Sequence, residues 1–565
     1  MSKISNSHKI QRILKESQLL CQNGKIIEAK PLLQELLKSI PSHPTVLCNL
    51  GSIELQQGNF DIGIEYLEKS LKANPKQPQV ICNLANGFLD SGRASKSLEY
   101  YDLAINLNPS SFDFFYNRGR AKRILKDYDG AIEDYKTAIN LNQNYSIAIF
   151  NLGFLFNEIK KFELALEQYQ KAIILNTSNH QTYYNRGIVY ENMKKYHEAL
   201  CDFNKAIELN PRFKEAYISR GNIKLIQQDL EGALEDYSKC IKLDINSYEA
   251  IFNSSIIYLI KNNFQEGWKL YETRWQTQKH SRQLLTSKSL LADFNSNGRK
   301  IFIWAEQGLG DQIMYSSLLI DALKTSNYFY VSLDPRLLCL FKRSFSWAKN
   351  VEFISSDEAI DESHYDFHLP LGSLGSFFRK NIKDFKNHPI SYLSTNKNLV
   401  SGLRQQFTHE KKICGISWLS KNLEIGPEKS LSLIQLLPIL SLENITFVDL
   451  QYGDTSEEKA KLLKEYGIQI QTIAEIDNFN DIDGLASLIE ACDFVITISN
   501  VTAHIAGAVN KKTYLLLSSN CGKIWYWGDV KSNSLWYPSI DKFKDDETLS
   551  WAKPIESLLL KLTHE

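Results

Sequence analysis

FDFFYNRGRAKRILKDYDGAIEDYKTAINLNQNY, residues 112–145, is one of a series of segments that repeat every 34 positions through the first half of the chain. Small residues recur at three positions of the repeat. The first column is Gly51, Ala85, Gly119, Gly153, Gly187, Gly221 and Ser255; the second is Gly63, Ser97, Ala131, Ala165, Ala199, Ala233 and Gly267; the third is Ala104, Ala138, Ala172, Ala206 and Cys240. A fixed period of this length, with small residues where two helices cross, predicts stacked helix–turn–helix repeats.

Seven repeats can be counted, from residues 10–43 to residues 214–247, and an eighth begins at Tyr248. Within each repeat, a turn such as Ser91-Gly92 separates two stretches with apolar residues at helical spacing. The pattern resembles the tetratricopeptide repeat over about residues 10–275. Because one such repeat cannot bury its apolar face alone, the repeats must stack into a right-handed superhelix that offers a concave binding surface. The sequence therefore predicts an α-solenoid that holds a partner.

An asparagine recurs in the first helix of these repeats. The row is Asn49, Asn83, Asn117, Asn151, Asn185 and Asn253, with Ser219 in the place of one member. An amide both donates and accepts, so a ladder of amides can pair with an extended polypeptide. The row resembles the ladder of the O-linked N-acetylglucosamine transferases, which holds acceptor polypeptide, and this favours Asn83, Asn117, Asn151 and Asn185 as partner-binding residues. The alternative is that these amides only bond locally between helices.

Composition restricts the class of protein. In 565 residues there are 65 Lys+Arg and 65 Asp+Glu, so the formal net charge is zero and no nucleic-acid partner is expected. The nine cysteines form no CxxC pair, so neither a zinc site nor a disulfide framework is predicted. The N-terminus lacks the apolar core of a signal peptide, and no apolar run is long enough to span a membrane. We expect a soluble, cytoplasmic protein.

After Trp275 the periodicity stops, and short β-branched runs alternate with helical stretches, which predicts a parallel-sheet α/β architecture. The predicted strands are Ile301–Ala305, Tyr328–Leu333, Val351–Ile354, Ile413–Trp418, Ile445–Leu450, Ile468–Thr472, Phe494–Ile498 and Thr513–Leu517. They form two groups, which predicts two Rossmann-like halves with a ligand cleft between them. The expected domains are the repeats (1–275), a first half (276–400) and a second, donor-binding half (401–565).

The first candidate segment follows the first predicted strand and reads Glu306-Gln307-Gly308-Leu309-Gly310-Asp311. Its glycines allow the backbone to approach a ligand closely, and Asp311 is placed to face the cleft. Gly308, Gly310 and Gln312 are the expected ligand contacts beside it. The segment is not a dinucleotide fingerprint, because Ile313 stands where the third glycine belongs. The alternative is an ordinary strand–helix turn with Asp311 as its N-cap.

Two further segments follow strands of the second half. One places Ser417, Lys421 and Lys429 near a helix start, which suits a diphosphate, and the sequence does not rank the two lysines. The other is the turn from Ser499 into a small-residue helix, whose first-turn amides are suited to hold a phosphate or a sugar hydroxyl. Its candidate donor-binding residues are Asn500, Thr502, Ala503 and His504.

Five motifs in this part of the chain resemble the glycosyltransferase domain of the heptosyltransferase-like family. They are AEQGLGD (305–311), GISWLSKN (415–422), FVDLQYGD (447–454), LASLIEACDFVITISNVTAHIAGAVNKKTYLLL (485–517) and LWYPSI (535–540). The resemblance implies a GT-B fold and metal-independent transfer from a nucleotide-sugar. It further implies that Asp311 is the catalytic base and that Lys421 or Lys429 and residues 502–504 contact the diphosphate. The chain departs from the family where Ser499-Asn500 replaces the usual Asp-Thr.

These observations predict an inverting, metal-independent glycosyltransferase whose acceptor, a protein or a glycan, is recruited by the repeats. No cofactor is expected besides the nucleotide-sugar substrate. Asp481-Ile482-Asp483 has the spelling of a metal-binding motif, but it opens a helix and is interpreted as an N-cap. One alternative is a non-enzymatic scaffold with a degenerate transferase domain; another is a carbohydrate-polymer enzyme whose repeats bind assembly partners.

Overall fold

The computed structural model describes residues 2–277, 284–295, 297–386, 389–407, 410–422, 426–517, 524–528, 534–544 and 550–564. The chain forms two compact units, Met1–Ala216 and Tyr217–Glu565. The division falls inside one helix, Lys214–Ile226, whereas the repeat sequence itself continues to about residue 275. The last helices of repeat sequence are therefore part of the second unit.

The first unit is an α-solenoid of helix pairs, as predicted. Its helices are α1 Ser2–Gln22, α2 Ile26–Ser39, α3 Pro44–Gln56, α4 Phe60–Ala73, α5 Pro78–Asp90, α6 Ala94–Leu107, α7 Phe112–Ile124, α8 Tyr128–Leu141, α9 Ser146–Glu158, α10 Phe162–Leu175, α11 His180–Asn192, α12 Tyr196–Leu209 and the start of α13 Lys214–Ile226. From α3 onward, every second helix begins at the first residue of a 34-residue repeat. The sequence period therefore sets the helix boundaries.

The small residues of the first column lie where the two helices of a pair meet. A Cβ atom at Gly119 would lie 2.9 Å from the ring of Tyr135, and one at Gly187 would lie 2.6 Å from the ring of Phe203. Both rings are fully buried. A larger residue at either glycine would push the helices apart, because interiors are close-packed.

A buried ion pair joins the two helices of several repeats. Arg186 donates to Asp202 through Nε and Nη2, at 2.7 and 2.6 Å, and Asp202 is 4% exposed. In the preceding repeat the equivalent positions are Leu152 and Gln168. The chain thus contains both a charged and an uncharged version of the same contact.

The second unit begins with the rest of α13 and continues with α14 Leu230–Leu243, α15 Tyr248–Ile260, α16 Phe264–Tyr271 and a 3-10 helix, Glu272–Gln276. Residues 264–276 are called the cap segment below. Trp268 of the cap segment is 1% exposed and belongs to the same hydrophobic core as β-strand residues such as Ile301 and Val331. The end of the repeat sequence is therefore packed directly into the α/β region.

The α/β region contains two sheets, and all their strand pairs are parallel. The first sheet has the order β1-β5-β2-β3-β4, with β1 Ser289–Leu290, β2 Lys300–Trp304, β3 Tyr328–Leu333, β4 Val351–Ser355 and β5 Phe367–Pro370. The second has the order β11-β10-β9-β6-β7-β8, with β6 Lys412–Ser417, β7 Ile445–Asp449, β8 Ile470–Gln471, β9 Phe494–Ile498, β10 Thr513–Leu517 and β11 Ile540–Lys544. All eight predicted strands are present, and the sheets lie on either side of the predicted divide at residue 400.

Three strands were not predicted: β1, β5 and β11. β1 has two residues and both are exposed, while β5 ends in proline. β11, IDKFK, carries lysines at a sheet edge. None has the apolar run by which buried parallel strands are recognised.

Helices alternate with these strands. They are α17 Leu309–Ser316, α18 Leu319–Ala322, α19 Leu338–Ser344, α20 Leu374–Phe378, α21 Lys397–Gln405, α22 Gly426–Lys429, α23 Leu437–Leu440, α24 Ser456–Tyr466, α25 Ile482–Ala491, α26 Val501–Ala508 and α27 Ala552–His564. The central strands β9 and β10 are buried along their whole length, as expected for a parallel sheet covered on both faces. No helix in the described part of the chain combines the length and apolar composition needed to cross a membrane.

Candidate functional site

A pocket of about 200 Å³ lies between the two sheets and is called the cleft pocket below. Its lining residues are Leu309, Arg336, Lys421, Tyr452, Asn478, Phe479, Ile482, Leu485 and Val501. Leu309 and Arg336 follow strands of the first sheet, and Lys421, Tyr452 and Val501 follow strands of the second. The pocket therefore lies at the carboxyl ends of both sets of strands, where parallel α/β folds bind ligands.

The cleft pocket combines aromatic rings with positive charge. The rings of Tyr452 and Phe479 have centroids 6.2 Å apart, and the Arg336 guanidinium lies 4.9 Å from the centroid of Phe479. Asp334 holds that guanidinium with two hydrogen bonds of 2.8 Å. The described lining contains two cationic side chains and no acidic one. This composition suits a ligand with a flat aromatic body and an anionic group.

Asn478 gives the pocket wall a hydrogen-bond acceptor. Its Nδ2 donates to the carbonyl oxygens of Asp449 and Gln451, at 3.0 and 3.2 Å, which fixes the amide orientation. Its Oδ1 is buried and has no partner among the described residues. An unpaired buried acceptor is costly unless a ligand supplies an N–H group. The sequence analysis missed Asn478, because nothing distinguishes it from an ordinary polar loop residue.

Asp311 lies in the first turn of α17. The N-cap of that helix is Gly308, and Asp311 is its third residue, so the alternative of Asp311 as N-cap is wrong. The Gly308 amide donates to the carboxylate of the half-buried Asp311. Burial raises the pKa of Asp311 to about 6, although the charge of Lys429 and the Gly308 hydrogen bond act in the opposite direction. The carboxyl group therefore exchanges its proton near neutral pH.

His504 lies where α26 meets α17. A Cβ atom at Gly310 would lie 2.7 Å from Cδ2 of His504, so the glycine permits this close approach. His504 is 3% exposed, and its Nδ1 lies 3.0 Å from the hydroxyl of Tyr537. Burial lowers its pKa to about 3, and the charge of Lys429 contributes in the same direction. The ring is therefore neutral at physiological pH.

The two candidate lysines lie in different surroundings. Lys429 ends α22, is 8% exposed, and its charge acts on both Asp311 and His504. Lys421 instead lines the cleft pocket, with its ammonium beside Gly453. Lys429 thus belongs with Asp311 and His504, whereas Lys421 belongs to the lining of the cleft pocket.

Several predicted donor contacts have partners within the protein. Asn500 caps α26, accepts from the Ala503 amide at 3.4 Å, and donates to Ser417 Oγ at 2.7 Å. Ser417 in turn donates to Gln451 Oε1 at 3.1 Å, and the same oxygen accepts the amides of residues 418 and 419. These groups join the loops after β6, β7 and β9. Gln451, which organises this junction, was not singled out by the sequence analysis.

Thr502 and Gln312 complete the set of predicted contacts. Thr502 is fully buried, and its Oγ1 has no partner among the described residues. Gln312 is 8% exposed, donates to the Gln307 carbonyl at 3.0 Å and accepts from the Asp334 amide at 2.9 Å. Gln312 therefore braces the two loops that flank the pocket on the side of the first sheet.

The asparagine row of the first unit makes local hydrogen bonds. Its Nδ2 atoms donate as follows: Asn83 to Ser52 Oγ (3.3 Å), Asn117 to Cys82 Sγ (3.9 Å), Asn151 to Tyr116 Oη (3.3 Å) and to Ile147 O (2.8 Å), and Asn185 to Gln181 O (2.8 Å). Most of these partners lie on the first helix of the preceding repeat. The side chains remain half-exposed, so the row connects neighbouring repeats and still borders solvent.

The interpretation of Asp481 as an N-cap is confirmed: its side chain accepts from the Gly484 amide at 2.8 Å. Asp483 pairs with Arg343, which comes from the half of the α/β region that contains the first sheet. Within the described residues, no group of three or more His, Cys, Asp or Glu side chains is arranged to hold a metal ion.

The repeats match known families. Models described as tetratricopeptide repeat match residues 44–77, 180–213 and 214–245, and one described as TPR repeat matches 119–159 and 155–194. Protein FlbA of Caulobacter vibrioides is 26% identical over 307 residues, which is 51% of this chain and 50% of FlbA. The chain thus spans about half the length of this curated relative.

Two solved structures are similar to part of the chain. The crystal structure of MamA is 27% identical, with 29% of this chain and 95% of MamA covered and a TM-score of 0.27. A tetratricopeptide repeat protein from Parabacteroides merdae is 21% identical, with 44% and 98% covered and a TM-score of 0.36. From the family matches and the helix pairs described above, the N-terminal half of this chain is an array of tetratricopeptide repeats.

Proposed function

We propose that the α/β region is a glycosyltransferase of the GT-B type that uses a nucleotide-sugar donor. The observation that carries the proposal is the position of Asp311, a carboxyl group with a pKa of about 6 in the first turn of α17, whose first residue, Leu309, lines the cleft pocket. A general base is most effective when its pKa is near the working pH. The pocket also lies at the carboxyl ends of two parallel sheets, which is where α/β folds bind nucleotide ligands.

The nucleotide part of the donor would occupy the cleft pocket. Tyr452 and Phe479 offer ring surfaces to a base, and Asn478 Oδ1 offers an acceptor to one of its N–H groups. The diphosphate would lie between Lys421 and the start of α26. There, the amides of Val501 and Thr502 have no hydrogen-bond partner in the described part of the chain. Helix N-termini favour anions.

In the proposed reaction, Asp311 is the general base. The Asp311 carboxylate takes the proton of an acceptor hydroxyl, and the resulting oxygen attacks the anomeric carbon with inversion. The bond from that carbon to the diphosphate breaks, and its electron pair leaves with the diphosphate oxygen. Lys429 is placed to stabilise that negative charge, because its own charge already acts on Asp311. No step requires a metal ion.

The acceptor would be a protein or a glycan brought by the repeats. Tetratricopeptide repeats typically bind protein partners, and the half-exposed asparagine row borders the solvent between neighbouring first helices. A non-enzymatic scaffold is the second candidate function. It is favoured by Ser417 and Asn500, two predicted donor contacts that instead bond to each other.

A ligand panel tests the proposal. The full chain is heated with UDP-, ADP-, GDP- and CMP-linked sugars and with the free nucleotides. One nucleotide class should raise Tm, since a ligand at 100 times its Kd adds about 2.7 kcal/mol to the free energy of unfolding.

The same nucleotide should bind Asn478→Ala about tenfold more weakly, a loss of about 1.4 kcal/mol. Asn480→Ala is the matched control, because Asn480 is two residues away, exposed, and outside the pocket lining. Absence of any stabilising nucleotide would refute the donor site and favour the scaffold.

A further inference from the structure

The loop of residues 305–308 leads from β2 into α17, the helix that carries Asp311, and it is held by the cap segment. Arg274 of the cap segment donates from Nη2 to Glu306 Oε1 at 3.1 Å. The side chains are 0% and 2% exposed, so this ion pair is completely removed from water. Glu306 also accepts from the Gly372 amide at 3.1 Å. The start of the loop is therefore fixed by Arg274, a residue of the cap segment that lies outside the two sheets.

A second contact holds the next residue of the loop. Gln307 donates from Nε2 to the hydroxyl of Tyr271 at 2.6 Å. The same hydroxyl lies 3.1 Å from the hydroxyl of Tyr315, which belongs to α17, the helix of Asp311. Tyr271 thus contacts both the loop and α17, the helix that carries Asp311 in its first turn.

The cap segment is itself firmly seated. Arg274 also donates to Ser373 Oγ at 2.9 Å, and its guanidinium lies 4.5 and 4.4 Å from the rings of Tyr271 and Trp275. Trp268 donates from Nε1 to the Arg379 carbonyl at 2.8 Å and packs against Gly375. Contacts to a rigid neighbour can transmit a defined position to the loop.

The ion pair is a poor source of stability. Desolvation offsets most of the attraction in a buried pair, and replacing both partners by apolar residues of similar volume is often neutral, whereas removing only one partner is destabilising. What a buried pair supplies is a defined geometry for the groups it joins. Here the joined group lies five residues before Asp311, and small displacements of a catalytic group reduce rates severely.

We propose that Arg274 and Tyr271 are positioning residues for Asp311, and that the cap segment is a structural part of the catalytic centre. The inference rests on the proposed role of Asp311 as a base. It assigns residues at the end of the repeat sequence to the transfer reaction itself, in addition to any role in recruiting an acceptor.

The test uses the full chain with Arg274→Met, and with Tyr271→Phe, which keeps the ring and removes only the hydroxyl. The first measurement is amide hydrogen exchange of residues 305–315. Both variants should exchange at least about tenfold faster there, since loss of local contacts favours local opening. Arg186→Met is the control, because it breaks a largely buried Arg–carboxylate pair in the first unit, away from residues 305–315.

The second measurement is release of nucleoside diphosphate from the nucleotide-sugar that the panel identifies. Turnover should fall at least about tenfold in Arg274→Met, since misplacement of a catalytic group costs up to a hundredfold. In the pH profile of turnover, the midpoint of the fall on the acid side should also move below pH 6. The reason is that an Asp311 carboxyl group held less firmly becomes better hydrated. Arg186→Met should change neither quantity.

Unchanged exchange at residues 305–315 in Tyr271→Phe would overturn the inference, even if Arg274→Met fails to fold. Faster exchange together with wild-type turnover and an unmoved acid-side midpoint would also overturn it. If the wild type turns over no donor, the proposed function fails. Hydrogen exchange alone then decides whether the cap segment holds the loop.

Discussion

Asp202 in the first unit is buried and Asp311 in the second is half-buried, and the partners of the two carboxyl groups differ. Asp202 receives two hydrogen bonds from Arg186, which lies 16 residues earlier in the same repeat. Asp311 receives one backbone N–H and the more distant charge of Lys429, and its pKa is raised to about 6. One carboxylate is fully compensated by its own repeat, and the other is left able to take up a proton.

The difference bears on the proposed site. In the repeats, a buried charge is matched by a partner at a fixed offset, and where the arginine is absent the carboxylate is absent too, as at Leu152 and Gln168. In the α/β region, the buried polar atoms Asn478 Oδ1 and Thr502 Oγ1 have no partner among the described residues. The repeats also contain such atoms, at Tyr135 Oη and Tyr169 Oη, but Asn478 in addition lines the cleft pocket, where a ligand can reach it.

The largest expected effect is on turnover by Asp311→Asn. Because the amide keeps the shape but cannot accept the proton, transfer should fall about 100- to 10,000-fold. Nucleotide affinity should stay within about twofold, since the cleft pocket lining does not include Asp311. The measurement is donor turnover beside nucleotide binding. Equal turnover by mutant and wild type would remove Asp311 from the mechanism.

Removing the partner of Asp202 should change the stability of the protein. Arg186→Leu leaves Asp202 buried without its partner, which should lower the free energy of unfolding by about 3–5 kcal/mol. Adding Asp202→Gln copies the Leu152–Gln168 pair and should restore most of the loss. Urea unfolding of the single and double variants checks this. If the double variant is no more stable than the single variant, the Leu–Gln pair stabilises only the repeat in which it naturally occurs.

Asp311→Asn should raise the free energy of unfolding, whereas Arg186→Leu should lower it. The folded-state pKa of Asp311, about 6, lies above the ordinary value of 3.8, so the folded form loses stability as pH rises from about 4 to 6. Asparagine avoids this cost, and the gain above pH 6 is at most about 3 kcal/mol. Tm of both proteins at pH 4 and pH 8 is the measurement. A gain at pH 4 equal to that at pH 8 would contradict the assignment.

Replacing the two candidate lysines should have smaller effects, and a different one for each lysine. Lys421→Ala should weaken nucleoside diphosphate binding about tenfold, or 1.4 kcal/mol. Lys429→Ala should move the acid-side midpoint of the pH profile of turnover to higher pH, because the charge that lowers the pKa of Asp311 is removed. Lys464→Ala, an exposed change on α24, is the control. Identical behaviour of the first two variants would contradict the separation.

The smallest effect is expected from the asparagine row. Asn117, Asn151 and Asn185 are replaced together by alanine, and each lost hydrogen bond contributes about 0.5–1.5 kcal/mol. Peptides that bind the wild-type chain should bind the triple variant more weakly, as measured by fluorescence anisotropy. Asn140→Ala, an exposed change on a second helix, is the control. A lower Tm with unchanged peptide affinity would assign the row to local bonding alone.

Sequence alone predicted much of the second unit but little of its chemistry. The eight predicted strands and the segment from Gly308 to Asp311 could be recognised, because apolar runs and glycine-rich turns are local signals. Asn478 and Gln451 could not, since their importance comes from backbone carbonyls and loops far away in the chain. Lys421 and Lys429 could not be ranked, because burial and distance from Asp311 are tertiary properties.

The sequence by itself determined the repeats: a period of 34 residues places the small residues, the helix starts and the Arg–Asp pairs, since every such contact is made within a repeat or with its neighbour. Tertiary structure alone decided that the end of the repeat sequence packs into the α/β core, that His504 abuts Gly310, and that Arg274 meets Glu306. These contacts join segments separated by up to about two hundred residues, and no local pattern encodes them. The pKa of Asp311 belongs with them, because it is raised by burial that only the assembled fold provides.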